Sequence, residues 1–231
     1  MGEYQKLSTD EGAFTIYIDR PERPVAPAVV VLQEIFGVNN DLRTSCRELA
    51  NQGLIAVCPD LFWRQEPGLD LNEWSEDDWK KGLALYGAYD FDAGVRDIAA
   101  VVNAARQMAG ANGRVGVMGY CLGGLMTYLA ATRTDVDASV EYYGGGTERY
   151  LDEAKAIVAP MMVHLAEEDE FISKEAQMAI AAAFSEHNNV TVYNYAGCNH
   201  AFARHTGAHY NAAAASLANE RTYKFLKQNL G

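Results

Sequence analysis

The hydrophobic positions of this chain fall into short, almost continuously apolar runs that alternate with longer segments of helical periodicity. Short apolar runs rich in β-branched residues are typical of strands covered on both faces. They predict seven strands, over residues 14–18, 28–32, 54–57, 115–118, 138–143, 161–165 and 190–195. The periodic segments between them predict five helices, over residues 41–52, 90–109, 122–132, 174–187 and 210–229.

Alternation of strands and helices predicts a mainly parallel sheet flanked by helices, an α/β fold built from right-handed crossovers. The elements use nearly the whole of residues 1–231, so we expect a single domain without a separate lid domain. In such sheets ligands bind beyond the carboxyl ends of the strands. Candidate chemistry is therefore sought in the residues that directly follow each predicted strand.

Composition narrows the classes of partner. The chain has 19 Lys and Arg against 31 Asp and Glu, a net charge of −12, which disfavours nucleic acid as a partner. No apolar run reaches the roughly 20 residues that a membrane helix needs, and the first residues do not resemble a signal peptide. We therefore expect a cytoplasmic protein that uses neither a membrane nor nucleic acid. Four cysteines are too few for a disulfide framework in a chain of this length.

The segment GYCLGG, residues 119–124, follows a predicted strand and precedes a predicted helix. It has the form of a nucleophile elbow, G-x-S-x-G, with Cys121 in place of serine. Small flanking residues permit the tight turn, and a thiol at a helix N-terminus is favoured as thiolate. The alternative is a buried structural cysteine, because free cysteine is among the most buried residue types.

A cysteine nucleophile needs a base and a group that orients the base. In this arrangement the acid and then the histidine follow the nucleophile along the chain, and Asp169 and His200 each follow a predicted strand. Asp169 stands among three other acids, any of which could instead be the orienting group: Glu167, Glu168 and Glu170. Asp169 is preferred because it lies just before the predicted helix start at Ser173 and has the shorter side chain. Of the five histidines, His200 is the preferred base.

A metal site is the other chemistry that this region could suggest. Cys198 and His200 are followed by His205 and His209, but the paired spacing of a structural zinc site is absent from the sequence. We expect no metal and no organic cofactor. Cys46 and Cys58 are interpreted as core residues, and Cys198 as a residue near the base.

Several separated motifs together resemble the dienelactone hydrolase (carboxymethylenebutenolidase) family. They are QEIFGVN, CPDLFWRQEPG, YDFDAGVRDI, GYCLGG, GCNHAFAR and SLANERT, which span nearly the whole chain in order. The resemblance implies an α/β-hydrolase fold and a Cys-His-Asp triad of Cys121, His200 and Asp169. It also implies that Glu34 lies beside the thiol, interacts with it in the resting state and is displaced when substrate binds.

The resemblance further assigns the groups that contact the substrate. The backbone N–H groups of Leu122 and Ile35 would form the oxyanion hole, and Arg204 would bind a substrate carboxylate through its guanidinium.

The chain departs from the family pattern in the helical stretch before YDFDAG. There the family has a second substrate-binding arginine and a tyrosine, and an ungapped count places Trp79 and Leu83 at those positions. Lys80 or Lys81 could supply the missing charge, although lysine replaces a bidentate arginine poorly. The substrate pocket is therefore expected to differ from that of the family.

These residues predict a cysteine-dependent hydrolase of a small lactone or ester that works through a covalent acyl-enzyme. One alternative is an esterase or thioesterase of the same fold with a less anionic substrate, which could stack on Trp79. The other is a protein that only binds a ligand or a partner in the same pocket.

Overall fold

A computed structural model gives the structure of the protein and describes residues 2–231. All the strands join one eight-stranded sheet with the order β1-β2-β4-β3-β5-β6-β7-β8. The strands are β1 Glu3–Thr9, β2 Gly12–Asp19, β3 Ala26–Leu32, β4 Ile55–Pro59, β5 Ala111–Tyr120, β6 Ala138–Tyr142, β7 Met161–Ala166 and β8 Val190–Tyr195. β1 and β2 are antiparallel to their neighbours, and the pairs from β4 to β8 are parallel.

Helices cover this sheet. They are α1 Asn40–Asn51, α2 Glu76–Gly87, α3 Phe91–Arg106, α4 Leu122–Arg133, α5 Lys174–Ser185 and α6 Ala212–Leu230, with a 3₁₀ helix over Thr147–Ala156. The predicted α/β class is confirmed, and the seven predicted strands correspond to β2–β8. The five predicted helices correspond to α1, α3, α4, α5 and α6.

Three elements of the structure were not predicted from the pattern of apolar residues: β1, α2 and the 3₁₀ helix. β1 reads EYQKLST and is mostly exposed at the edge of the sheet, so it lacks the apolar run that marks the other strands. The 3₁₀ helix and α2 bury few side chains and therefore carry little periodicity. Within residues 2–231 the structure shows no helix with both the length and the apolar character needed to cross a membrane.

The central strands place their carboxyl ends at one edge of the sheet. β3 and β4 are buried along their whole length, as their continuous apolar runs require. A hydrogen bond joins the loops that follow these two strands: the N–H of Leu61 donates to the side-chain oxygen of Gln33 at 3.1 Å. The loops after β5, β6, β7 and β8 open at the same edge, and they carry the candidate chemistry.

Candidate active site

Cys121 occupies the turn between β5 and α4, with φ +54° and ψ −113°. Few side chains adopt a positive φ, so the surrounding turn must hold it in place. Its N–H donates to the carbonyl of Tyr142 at 3.1 Å. Gly123 brings α4 against β3, because a Cβ atom there would lie 2.3 Å from the carbonyl oxygen of Leu32. The glycines thus create the strand-to-helix turn that presents a half-buried thiol at the N-terminus of α4.

The imidazole of His200 is hydrogen-bonded to the carboxylate of Asp169 through Nδ1. Nδ1 lies 2.9 Å from Oδ2 and 3.0 Å from Oδ1 of Asp169, and both side chains are buried. Asp169 is itself fixed, because its Oδ1 accepts the N–H groups of Phe171 and Ile172.

The three acids next to Asp169 contact residues other than His200. Glu167 accepts the N–H of Gly197, Glu168 pairs with Lys174, and Glu170 lies 3.5 Å from His209. Of the four acids that the sequence left as candidates, the structure brings Asp169 to the histidine.

The imidazole of His200 lines the pocket that also contains Cys121, and its Nε2 is buried. Burial by itself lowers the pKa of His200, but the charge of the Cys121 sulfur and the hydrogen bonds to Asp169 and to Cys121 outweigh burial and raise that pKa to about 10. The imidazolium form is therefore favoured while the sulfur is a thiolate.

Glu34 and Arg204 form a buried ion pair instead of the expected contact between Glu34 and the thiol. Nε of Arg204 donates to Oε2 of Glu34 at 2.6 Å, and the two side chains are 6% and 8% exposed. No hydrogen bond joins Glu34 to Cys121 in the described part of the chain, and Oε1 of Glu34 has no partner there. A buried guanidinium attracts the carboxylate more strongly than a thiol does. The guanidinium also lies over the ring of Phe36, 4.8 Å from its centroid.

One of the two backbone N–H groups assigned to the oxyanion hole belongs to the elbow, and the other belongs to the loop after β3. Leu122 is the first residue of α4, where the N–H has no partner within the helix. The N–H of Ile35 donates to no protein atom in residues 2–231. Ile35 lines the pocket together with Cys121.

The pocket at Cys121 has a volume of about 220 Å³. Cys121, His200 and Arg204 lie in it beside the apolar side chains of Trp79 and Leu83. A larger groove of about 900 Å³ runs between α1 and α6, but neither Cys121 nor His200 lines it. The candidate catalytic residues Cys121 and His200 therefore share the smaller pocket.

Lys80 and Lys81 are absent from the residues that line this pocket, which corrects the expectation that one of them supplies a charge there. Trp79 and Leu83 are four residues apart on α2 and share one face, whereas the two lysines point away from that face. Lys80 pairs with Glu76 at 2.8 Å, and Lys81 pairs with Glu66 at 2.5 Å. The Lys80 pair is largely exposed to solvent, and the Lys81 pair is about half exposed.

Tyr86, Glu148, Arg149 and Phe171 also line the pocket and were absent from the sequence-based candidates. Tyr86 could have been found, because it lies one turn beyond Leu83 on the same helix face. Glu148 and Arg149 come from the 3₁₀ helix, which has no pattern to reveal it.

The remaining candidates near His200 have structural contacts. His205 lies between two acids of α1, with Nδ1 3.0 Å from Asp41 and Nε2 3.1 Å from Glu48. Cys198 is buried and lies outside the pocket. Within residues 2–231 no group of three or more His, Cys, Asp and Glu side chains is arranged to hold a metal ion.

A mainly parallel sheet with a nucleophile elbow after β5, an acid after β7 and a histidine after β8 defines an α/β-hydrolase fold. The model of the dienelactone hydrolase family matches residues 14–230. The chain therefore belongs to the dienelactone hydrolase family.

Individual relatives agree with this assignment. The chain is 42% identical over 224 residues to a protein of Azospirillum brasilense provisionally named a carboxymethylenebutenolidase, with 96% of each sequence covered. It is 38% identical over 219 residues to the carboxymethylenebutenolidase of Pseudomonas putida, covering 95% of this chain and 93% of the relative. A solved structure from Klebsiella pneumoniae, provisionally described as a dienelactone hydrolase, superposes with a TM-score of 0.87 at 26% identity, covering 99% and 98% of the two chains.

Proposed function

We propose that the protein hydrolyses small lactones or esters through a Cys121-His200-Asp169 triad and a covalent acyl-enzyme. One observation carries the proposal. A half-buried thiol at a helix N-terminus shares a pocket with an imidazole whose Nδ1 is held by a carboxylate, and this thiol is among the groups that raise the pKa of that imidazole. This is the arrangement that an activated nucleophile requires.

In the first half-reaction the Cys121 thiolate attacks the carbonyl carbon, and the carbonyl π electrons move onto oxygen. The N–H groups of Leu122 and Ile35 stabilise this oxyanion, and the loss of one such donor typically costs about 10²–10³ in rate. When the intermediate collapses, the C–O bond of the alcohol breaks, and the His200 imidazolium donates its proton to the leaving alkoxide. A thioester at Cys121 and a neutral imidazole remain.

In the second half-reaction neutral His200 takes a proton from water, and the resulting hydroxide attacks the thioester. Collapse of this intermediate breaks the C–S bond and releases a carboxylic acid, which ionises, while the thiolate and imidazolium are restored. Asp169 keeps Nδ1 protonated and stabilises the imidazolium throughout. A lactone gives the open-chain hydroxy acid, because the alcohol and the acid remain in one molecule.

The size of the pocket and the relatives support a small substrate. A volume of about 220 Å³ suits a single ring with short substituents. Relatives named carboxymethylenebutenolidase are named for a lactone with a carboxyl-bearing arm. Trp79 and Leu83 give part of the pocket an apolar wall, which favours the less anionic esters as a second substrate class.

The proposal is tested by turnover of dihydrocoumarin, a neutral lactone, and of 4-nitrophenyl acetate by wild type, Cys121→Ala and Cys198→Ala. Cys198→Ala is the matched control, since it removes a buried thiol that lies outside the pocket. We expect Cys121→Ala to abolish turnover and Cys198→Ala to retain it. Equal turnover in wild type and Cys121→Ala would overturn the nucleophile. No turnover by wild type would favour a ligand-binding protein.

A further inference from the structure

Two arginines line the pocket at Cys121, and their charges are compensated differently. The guanidinium of Arg204 is buried and paired with Glu34 at 2.6 Å, so its charge is already matched by a carboxylate. Arg149 lies at the exposed side of the pocket and forms no ion pair with a carboxylate of residues 2–231. Of the two arginines in this pocket, Arg149 is therefore the one whose guanidinium forms no ion pair with a carboxylate of residues 2–231.

Arg149 is exposed to solvent and contacts two residues that line the pocket, Tyr86 and Gly146. Its Nη2 donates to the phenolic oxygen of Tyr86 at 3.2 Å. The guanidinium also lies against the bare backbone of Gly146, because a Cβ atom at that position would be 2.2 Å from Nη2. Gly146 has φ +102°, a backbone conformation that favours glycine. The absence of a side chain at Gly146 thus leaves room for the guanidinium of Arg149 in this position.

Tyr86 connects this guanidinium to the reacting thiol. It lines the same pocket, and its hydroxyl also lies 3.4 Å from the carbonyl oxygen of Gly145. Burial raises the pKa of Tyr86, Arg149 lowers it, and the charge of Cys121 raises it further. Tyr86 therefore lies within electrostatic reach of both Arg149 and Cys121.

Three carboxylates lie near Arg149 in the sequence, and none of them forms an ion pair with it: Glu148, Asp152 and Glu153. Glu153 pairs with Arg133 instead. Glu148 lines the pocket, but its Oε2 accepts the N–H of Gly146 at 3.1 Å. The protein as a whole carries a charge of −12 and repels small anions at long range. A local unpaired guanidinium at the pocket is then the feature that can retain an anionic substrate, because its fork binds a carboxylate with two hydrogen bonds.

We propose that Arg149, held by Tyr86, is the specificity-determining residue that selects substrates carrying a carboxylate. The substrate class is an ester or lactone with an apolar body against Trp79 and Leu83 and a carboxylate at the exposed side of the pocket. This inference rests on the proposed hydrolase function and assigns the recognition of the anion to the 3₁₀ helix.

The test compares an anionic ester, 4-nitrophenyl hydrogen glutarate, with a neutral one, 4-nitrophenyl butyrate. The ratio of the two kcat/KM values is measured for wild type, Arg149→Gln, Arg149→Lys and Tyr86→Phe. Lys155→Gln is the matched control, because it removes one exposed positive charge from the same 3₁₀ helix outside the pocket.

We expect Arg149→Gln to lower the ratio at least tenfold, mainly through KM of the anionic ester, as loss of a charge-assisted contact predicts. Arg149→Lys should recover part of the ratio, Tyr86→Phe should lower it less, and Lys155→Gln should keep it. A ratio in Arg149→Gln equal to that in Lys155→Gln overturns the proposal.

Failure of the hydrolase function is recognised separately. If wild type hydrolyses neither ester, calorimetry with Cys121→Ala measures the binding of monomethyl glutarate against the neutral dimethyl glutarate. Weaker binding of the anion after the further change Arg149→Gln supports the role of Arg149, and unchanged binding refutes it.

Discussion

Nε of Arg204 lies 2.6 Å from Oε2 of Glu34, and each side chain is less than a tenth exposed to solvent. The two residues are 170 positions apart in the sequence, and their pairing ties the loop after β3 to the loop that carries His200. An ion pair at this depth depends on both of its members, because a single buried charge has no water to stabilise it.

We expect Arg204→Met to lower the free energy of unfolding by about 3–5 kcal/mol, because the Glu34 carboxylate is left buried and unpaired. The double variant Glu34→Gln/Arg204→Met should lose much less of the free energy of unfolding, because it leaves no unpaired charge in the interior. Urea unfolding at pH 7 measures both, with Lys80→Met as the control, since its ion pair is mostly exposed and is worth about 0–1 kcal/mol. Equal losses in the single and the double variant would show that the pair is not coupled.

The close approach of Gly123 to β3 gives a second prediction. A Cβ atom there would lie 2.3 Å from the carbonyl oxygen of Leu32 and 2.7 Å from that of Gln33, and backbone cannot move aside cheaply. Gly123→Ala should therefore cost at least about 2 kcal/mol of stability. Gly87→Ala, at the end of α2, meets nothing within 4 Å and should be neutral or stabilise the protein by about 0.5–1 kcal/mol. Thermal unfolding of the two variants compares them, and similar melting temperatures would contradict the packing argument.

Glu141 gives a prediction on pH. Its side chain is fully buried in β6, its Oε1 accepts the hydroxyl of Thr147 at 2.7 Å, and burial raises its pKa to about 8. A carboxyl whose folded pKa lies above the unfolded value contributes its stability below about pH 4.5, and this contribution is lost as the pH rises towards 8. Glu141→Gln stays neutral, so its stability relative to wild type should increase by roughly 2–4 kcal/mol between pH 5 and pH 9.

Urea unfolding at the two pH values measures this difference. The exposed Glu186→Gln is the control, and its difference from wild type should change little with pH. The same change with pH in both variants would show that Glu141 is not the titrating group.

The sequence predicted the fold because most of its elements bury a continuous apolar surface. β3 to β7 are buried along most of their length, so their apolar runs stand out without any knowledge of tertiary structure. β1 lies at the exposed edge, and its polar residues resemble a loop until its pairing with β2 is known.

The order of the three residues proposed as the triad could be read from the chain, because topology alone brings the ends of β5, β7 and β8 to one edge. The sequence favoured Asp169 over its acidic neighbours because it lies just before a helix and has the shorter side chain, and the coordinates show that it is the acid that contacts His200. The pairing of Glu34 with Arg204 and the approach of Arg149 to Tyr86 join distant segments, and a single sequence contains no signal for either.

The central claim is that Cys121 is the nucleophile that carries the acyl group. Rapid mixing with 4-nitrophenyl acetate, an acid quench and peptide mass spectrometry test it directly. We expect an acetyl group on the peptide containing Cys121, formed within the burst of nitrophenol release and lost as turnover ends. The other three cysteines, Cys46, Cys58 and Cys198, are buried and should remain unmodified. An acetyl group on another residue, or turnover that continues in Cys121→Ala, would contradict the account.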